Sequence, residues 1–392
     1  MTPKLYSKPS VATSLGDKAV SFGLLPLVLL RWIASFVLKR GSPLHWRQKL
    51  AIAFVRAQRA VVPASIRRRN ARRVLTGDGI KNYCAKNGLS VKVVTLEAQS
   101  TVYKAGLTVP PPTLHFVTPS SASVTGPTLF YLHGGGYVNP MVGPGHMPMV
   151  LACAKACKAR EIVFLEYVLA PEYPYPAQLV QVVASFRYLL ETRSLKIEDI
   201  VVAGDSAGGN LVGSLLAHLA EPSPYAAPVD LAGRQLRAAL FICPWTMMHV
   251  DQESFTTNES NDYLDRPQAL RFKGEWKPDE GEVWANLCEA PDATRVWNKA
   301  FGRDGPGVVS KAMVTAGNAE VLLDSCNIFA RDHVHAEMVV ADRKTDFSVL
   351  DGKAFVSVEC EGEVHVQPAV DSFVGYSDGV MMRAITRWLE TV

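Results

Sequence analysis

Val201-Val202-Ala203-Gly204-Asp205-Ser206-Ala207-Gly208-Gly209-Asn210 is the stretch on which the reading of this 392-residue chain turns. An apolar, β-branched run (Ile200–Ala203) enters Gly-x-Ser-x-Gly and leaves through Ala207–Ala220, a segment of helical composition. A strand–turn–helix corner of this kind strains the backbone of its central serine and exposes the hydroxyl. The residues two before and two after must be tiny, so that strand and helix can approach each other. Gly204 and Gly208 meet that need, with Asp205 beside the serine. A glycine-rich turn with an incidental serine would look the same in isolation, so a second feature has to decide.

That feature is His133-Gly134-Gly135-Gly136-Tyr137, which follows the apolar run Thr128–Leu132 and precedes Ser206 in the chain. Three successive glycines let the backbone turn its N–H groups into a pocket. There Gly134 and Gly135, with the N–H of Ala207, can hold a developing oxyanion. Outward from these motifs, short β-rich runs alternate with helical stretches: Ser90–Leu96, Thr113–Val117, Glu161–Tyr167, Ala239–Cys243, Ala312–Ala316 and Phe355–Cys360 join the two already named as eight strand candidates. Near-continuous apolar strands separated by helices predict a mostly parallel α/β sheet covered on both faces. The stretch 251–305 is polar, contains Trp276, Trp284 and Trp297, lacks strand candidates, and reads as an insertion over the active face.

A serine nucleophile needs a base, and the base needs an orienting acid, in the chain order serine, acid, histidine. Of nine histidines, His45, His115 and His133 precede Ser206, His146 and His218 sit in or beside helices, and His249, His333 and His335 lie between. His365 follows the last strand candidate through a short loop near the C-terminus, where such a base belongs. Two acids are open after Ala312–Ala316. Glu320 lies in the loop directly after the strand and is preferred; Asp324 lies one turn further on, where it can serve a helix N-terminus.

Together these stretches resemble the hormone-sensitive-lipase-like branch of the α/β hydrolases. The resemblance is carried by His133–Gly136, Tyr167-Val168-Leu169-Ala170-Pro171-Glu172-Tyr173-Pro174-Tyr175-Pro176-Ala177 and Gly204–Gly209, and covers the chain from about Val124 onward. Glu320-Val321-Leu322-Leu323-Asp324 matches the family's acid-x-Leu-x-Asp pattern with the acid in first place, and Cys243-Pro244-Trp245 resembles a post-strand position of the family. In length and N-terminal character the chain looks most like fungal members, steryl acetyl hydrolases and secondary-metabolite esterases among them. The resemblance implies an α/β-hydrolase fold, an N-terminal helical cap, and a serine ester hydrolase that needs no cofactor. The expected partner is a small apolar ester. An acyltransferase or lyase with the same three residues, or a ligand receptor on this fold, are the rivals; receptors of this kind lack the histidine, which is present here.

Composition is consistent with an ordinary globular protein: 48 % apolar, 20 % charged, net charge +4. Eleven Lys or Arg and no acid lie between Lys39 and Thr76, so the positive charge is local, and a general nucleic-acid surface is not expected. Seven scattered cysteines, with no paired zinc spacing, read as reduced thiols of an intracellular compartment and no metal site. Asn258-Glu259-Ser260 reads as a chance sequon.

The remaining feature is residues 1–79, set apart from a catalytic domain over 80–392. Ala19–Leu38 is almost wholly apolar, but Arg31, Pro26 and Gly23 interrupt it. Its apolar side chains supply about −5 kcal/mol toward insertion, of which Arg31 alone takes back about 3. The near-zero sum leaves three alternatives: a helix that spans a membrane, one that lies on a membrane surface, including that of the endoplasmic reticulum, or a cap over the catalytic domain, with 19–73 as the contact region.

Overall fold

The computed structural model describes residues 15–38, 43–62 and 64–392; the expected basic residues Lys39 and Arg40 lie outside them. Nine strands form one sheet: β1 (Ser90–Thr95), β2 (Thr113–Thr118), β3 (Thr128–Leu132), β4 (Glu161–Glu166), β5 (Ile200–Asp205), β6 (Ala238–Ile242), β7 (Ala312–Gly317), β8 (Glu337–Ala341) and β9 (Phe355–Cys360). Their order is β1-β2-β4-β3-β5-β6-β7-β9-β8. β2 runs antiparallel to both β1 and β4, and every other pairing is parallel.

Alternation along the central strands builds two cores. Phe130, Leu132 and Val202 point to one face, where helices Ala177–Arg187 and Ala207–Ala220 pack. Leu129, Tyr131, Val201 and Ala203 point to the other, against helices Gly143–Ala156 and Val380–Leu389. Strands wetted on neither face need mostly apolar side chains, which is why β3 and β5 read as near-continuous hydrophobic runs, with Thr128 and Asp205 at their ends.

Two expectations change. The sheet has nine strands, not eight: β8 is an edge strand whose Glu337, Met338 and Val340 are exposed, so it shows neither an apolar run nor clean alternation. The boundary expected at 79/80 falls inside helix Thr76–Asn87, which is docked on the sheet through a bond from the Gly77 N–H to Glu166. Ahead of it, helices Leu15–Leu38 and Trp46–Val61 pack on each other, and Leu29, Trp32 and Ile33 join Ile52, Ala53 and Val364 in a small core of their own. Among the described residues no helix is long and apolar enough to cross a membrane. The stretch 251–305 is strandless as expected, with helices Ser254–Thr257, Arg266–Trp276 and Ala293–Ala300.

Candidate active site

Ser206 sits between the last residue of β5 and the first of helix Ala207–Ala220, with φ 54° and ψ −120°. A non-glycine residue at positive φ is strained, and surrounding bonds must hold it there. The Ser206 N–H donates to the Ile242 carbonyl at 2.9 Å, and its own carbonyl accepts from Asn210 and Trp245, each at 3.0 Å. The expected need for small neighbours is met literally: a Cβ on Gly208 would fall on the Leu132 carbonyl, and one on Gly204 on the Gly208 carbonyl.

His365 lies in the loop after β9, just before helix Gln367–Phe373. Its Nε2 is 2.8 Å from Ser206 Oγ, and its Nδ1 is 2.9 Å from Glu320 Oε2. Glu320, in the loop after β7, is fully buried. Burial alone would push the His365 pKa down, but the bond to Glu320 and the charges of Glu320, Asp262 and Asp205 outweigh it, and the imidazole ends above its usual 6.5. Asp324 is not at the histidine. Its Oδ2 accepts the Ser254 N–H at 2.7 Å, tying the 251–305 stretch to the start of helix Leu323–Ile328.

That stretch also supplies two residues to which no sequence feature assigned a role in the site. Buried Asp262 accepts from the N–H of Val321 (2.9 Å) in the Glu320 loop and from that of His365 (3.3 Å), so one carboxylate ties both loops together. Burial, helped by the charge of Glu320 and opposed by that of His365, pushes it up to about 6. Asn258, the residue of the sequon, is buried and donates to the carbonyls of Asn318 and Glu320.

The glycine loop is fixed from below. The Met141 N–H donates to Thr76 Oγ1 (3.1 Å), and Thr76 Oγ1 lies 3.1 Å from His133 Nε2. His133 Nδ1 is 2.6 Å from the Gly134 carbonyl. The ring stacks on Tyr167 with centroids 4.3 Å apart. Burial holds His133 down to about 4, so at neutral pH it is an uncharged strut. The Gly134 N–H, expected to face an oxyanion, instead donates to Asp205 Oδ1 at 2.9 Å. Asp205 also accepts from Tyr131 and meets His146 Nε2 at 3.3 Å. Burial would raise the Asp205 pKa, but His146 and these bonds keep it below the usual carboxylate value. Gly135 and Gly136 take positive φ (115° and 63°). Among the described residues nothing accepts from the N–H of Gly135 or Ala207.

Ser206 opens on a cavity of about 180 Å³ bounded by Gly134–Gly136, His146, Trp245, Leu264, Phe272 and His365. Arg59 of helix Trp46–Val61 and Tyr263 of the insertion complete it. Nothing in the sequence pattern pointed to Arg59 or His146, because neither belongs to a local motif. Cys243, Glu320 and His365 come within 4.8 Å of one another. Both ring nitrogens of His365 are already engaged, so an ion there would have to break the bond to Ser206 or to Glu320. The arrangement supports proton transfer from a serine hydroxyl to a carboxylate-oriented imidazole, with two backbone donors nearby.

A family described as alpha/beta hydrolase fold matches residues 129–346, and the chain belongs to it. It is 36 % identical over 143 residues to the carboxylesterase NlhH of Mycobacterium tuberculosis, a match covering 36 % of this chain and 41 % of that one. It is 34 % identical over 142 residues to an acetyl-hydrolase of Streptomyces hygroscopicus, covering 36 % and 42 %. The chain thus spans less than half the length of these curated relatives. Among solved structures, a thermostable esterase from Pseudomonas putida aligns with TM-score 0.61 at 20 % identity, over 87 % of this chain and 94 % of that one. An esterase from the bacterial hormone-sensitive lipase family aligns with TM-score 0.58 at 23 % identity, over 88 % and 97 %. At these identities the alignments speak to the fold.

Proposed function

We propose that this chain is a serine carboxylic-ester hydrolase working through an acyl-enzyme, with Ser206 as nucleophile, His365 as base and Glu320 as the acid that orients it. The observation that carries the reading is the continuous hydrogen-bonded chain Ser206–His365–Glu320, opening on a cavity that Gly135 borders, with the N–H groups of Gly135 and of Ala207, the residue after Ser206, unengaged among the described residues. The similarity to a carboxylesterase and an acetyl-hydrolase supports it.

As Ser206 Oγ adds to the ester carbonyl carbon, its proton passes to His365 Nε2, and the carbonyl oxygen takes the negative charge. Gly135 and Ala207 donate to that oxygen. Gly134 contributes by pinning the loop to Asp205, in place of the direct donation expected of it. The oxyanion collapses, the ester C–O bond breaks, and His365 protonates the departing alcohol. Water repeats the sequence on the acyl-enzyme, releasing the acid and restoring the Ser206 hydroxyl. The preferred substrate is a short-acyl, above all acetyl, ester of a bulky apolar alcohol such as a terpenoid, sterol or polyketide. The apolar wall of Trp245, Leu264 and Phe272 supports that choice.

A p-nitrophenyl ester series with fluorophosphonate labelling tests the activity. Acetate and butyrate should turn over faster than long-chain esters, with the label on Ser206. A label on any other residue, or no turnover with any ester, would overturn the reading.

The N-terminal helices are proposed to rest on a membrane surface. Leu24, Leu27 and Leu30 are 46, 64 and 62 % exposed on the face of helix Leu15–Leu38 opposite the core-facing Leu29, Trp32 and Ile33, and Trp46 is 62 % exposed nearby. Much of the basic block does not face outward. Arg72 is buried on the carbonyls of Val138 and Ala170, Arg56 binds the carbonyls of Glu259 and Asp262, and Arg67 binds those of Arg59 and Val62. Apolar contact therefore outweighs charge. The protein should float with liposomes, and raising salt to 0.5 M should release only a minor part, on the order of a third, as screening removes only the charge contribution. Absence from the liposome fraction at low salt would leave the helices as a cap alone.

A further inference from the structure

Beside the Ser206 cavity lies a second one of about 370 Å³, between the N-terminal helices and the 251–305 stretch. Arg59 and Tyr263 border both. This second cavity is rich in arginine: Arg56, Arg59, Arg67 and Arg271 line it, together with Asp262, Asp265 and Trp32. Two of these guanidinium groups hold sealed nitrogens that lack an acceptor among the described residues, Arg59 Nη1 and Arg56 Nε. Leaving a charged donor unpaired away from water is costly, more so than for a neutral group.

The carboxylates close by do not resolve this. Asp262 spends its oxygens on the N–H groups of Tyr263, Leu264, Val321 and His365. Asp265 caps helix Arg266–Trp276 through the Gln268 N–H. Neither forms an ion pair with Arg59. Burial pulls the Arg59 guanidinium down to about 10, so it remains cationic at neutral pH.

Its position relative to the chemistry is defined by two contacts. The Arg59 guanidinium lies 5.1 Å from the centre of the Tyr263 ring, and that ring lies 6.0 Å from the His365 ring. The Tyr263 ring thus joins Arg59 to His365, the residue that would protonate the leaving alcohol, and Arg59 itself borders the Ser206 cavity. The alcohol half of an ester, which leaves at His365, is the part assigned to it.

We infer that Arg59, with Arg56 behind it, binds a carboxylate on the alcohol part of the substrate, so that the preferred substrates are acyl esters of hydroxy acids. This rests on the reading of Ser206 and His365 given above, and it narrows the substrate to an apolar hydroxy acid: Tyr263 and Trp32 flank its body, and the arginines take its anionic end. Arginine suits the task because its planar fork matches a carboxylate with two parallel bonds.

The test uses a matched pair, 3-(4-acetoxyphenyl)propanoate and its primary amide, which carry the same acetate ester and differ in the charge at the far end. The full-length protein should hydrolyse the carboxylate with kcat/KM at least about tenfold above the amide, the size of one charge-assisted contact. In Arg59→Met that ratio should fall to about one, and Arg59→Lys should restore part of it. A ratio of one or less in the unmodified protein, or a ratio unchanged in Arg59→Met, would overturn the assignment. The product 3-(4-hydroxyphenyl)propanoate supplies a readout independent of turnover. Ser206→Ala should bind it at least about tenfold more tightly than the double variant Ser206→Ala/Arg59→Met. If neither ester turns over yet this binding difference holds, the carboxylate site stands and the hydrolase reading fails. Equal binding by the two variants overturns the site.

Discussion

Ser206→Ala should lower ester turnover by about 10⁴-fold or more while the protein stays folded, because members of a nucleophile–base–acid unit fail together. The side chain gives up only its bond to His365 Nε2. The backbone bonds to Ile242, Asn210 and Trp245 that hold the φ 54° corner do not involve the hydroxyl. Alanine at this position carries the same backbone strain as serine, so the thermal midpoint should move by no more than about 3 °C, corresponding to the modest net worth of one hydrogen bond. The residual rate would come from the N–H groups of Gly135 and Ala207 and from substrate positioning. Fluorophosphonate labelling should vanish together with activity. Undiminished turnover in a folded Ser206→Ala protein would remove the nucleophile from this position.

Glu320→Gln should cost about 10²–10⁴-fold in kcat, since the carboxylate both fixes the His365 tautomer and stabilises the imidazolium that forms. The bond to Nδ1 is 2.9 Å and sealed from water, so no solvent molecule takes its place. A pH signature separates this from simple damage. Activity needs neutral His365, so it falls as pH drops through the histidine pKa, and that pKa is held above 6.5 largely by Glu320. The acid limb of kcat/KM should therefore lie above pH 6.5 in the unmodified protein and move to lower pH in Glu320→Gln. Asp324→Asn should leave the limb in place and cost less than about tenfold, because its carboxylate reaches Ser254 and not the histidine. The reverse order of damage, or a limb that Glu320→Gln does not move, would assign the acid elsewhere.

The fold was legible along the chain because its determinants are local. β3, β5, β6 and β7 are buried along their whole length, and such strands must be largely apolar. β8 escaped because an edge strand with exposed Glu337, Met338 and Val340 obeys no such pattern. The serine corner was equally plain. Gly204 and Gly208 are required by backbone crowding within one turn, and the glycines after His133 by a loop of positive φ.

By itself the sequence determined the α/β architecture, the strained corner at Ser206, the glycine loop, and a short list of partners for them. The tertiary structure decided which partners meet. It brought Glu320 and not Asp324 to His365, and it bound the Gly134 N–H to Asp205, leaving Gly135 and Ala207 unengaged. It turned Arg56, Arg59, Arg67 and Arg72 of the basic run toward the interior. The division has a physical cause. Periodicity and glycine placement record constraints that act within a few residues, whereas a hydrogen bond between Val321 and Asp262, or an arginine beside the Ser206 cavity, depends on how distant segments pack. No spacing in one segment encodes the side chain that another segment delivers.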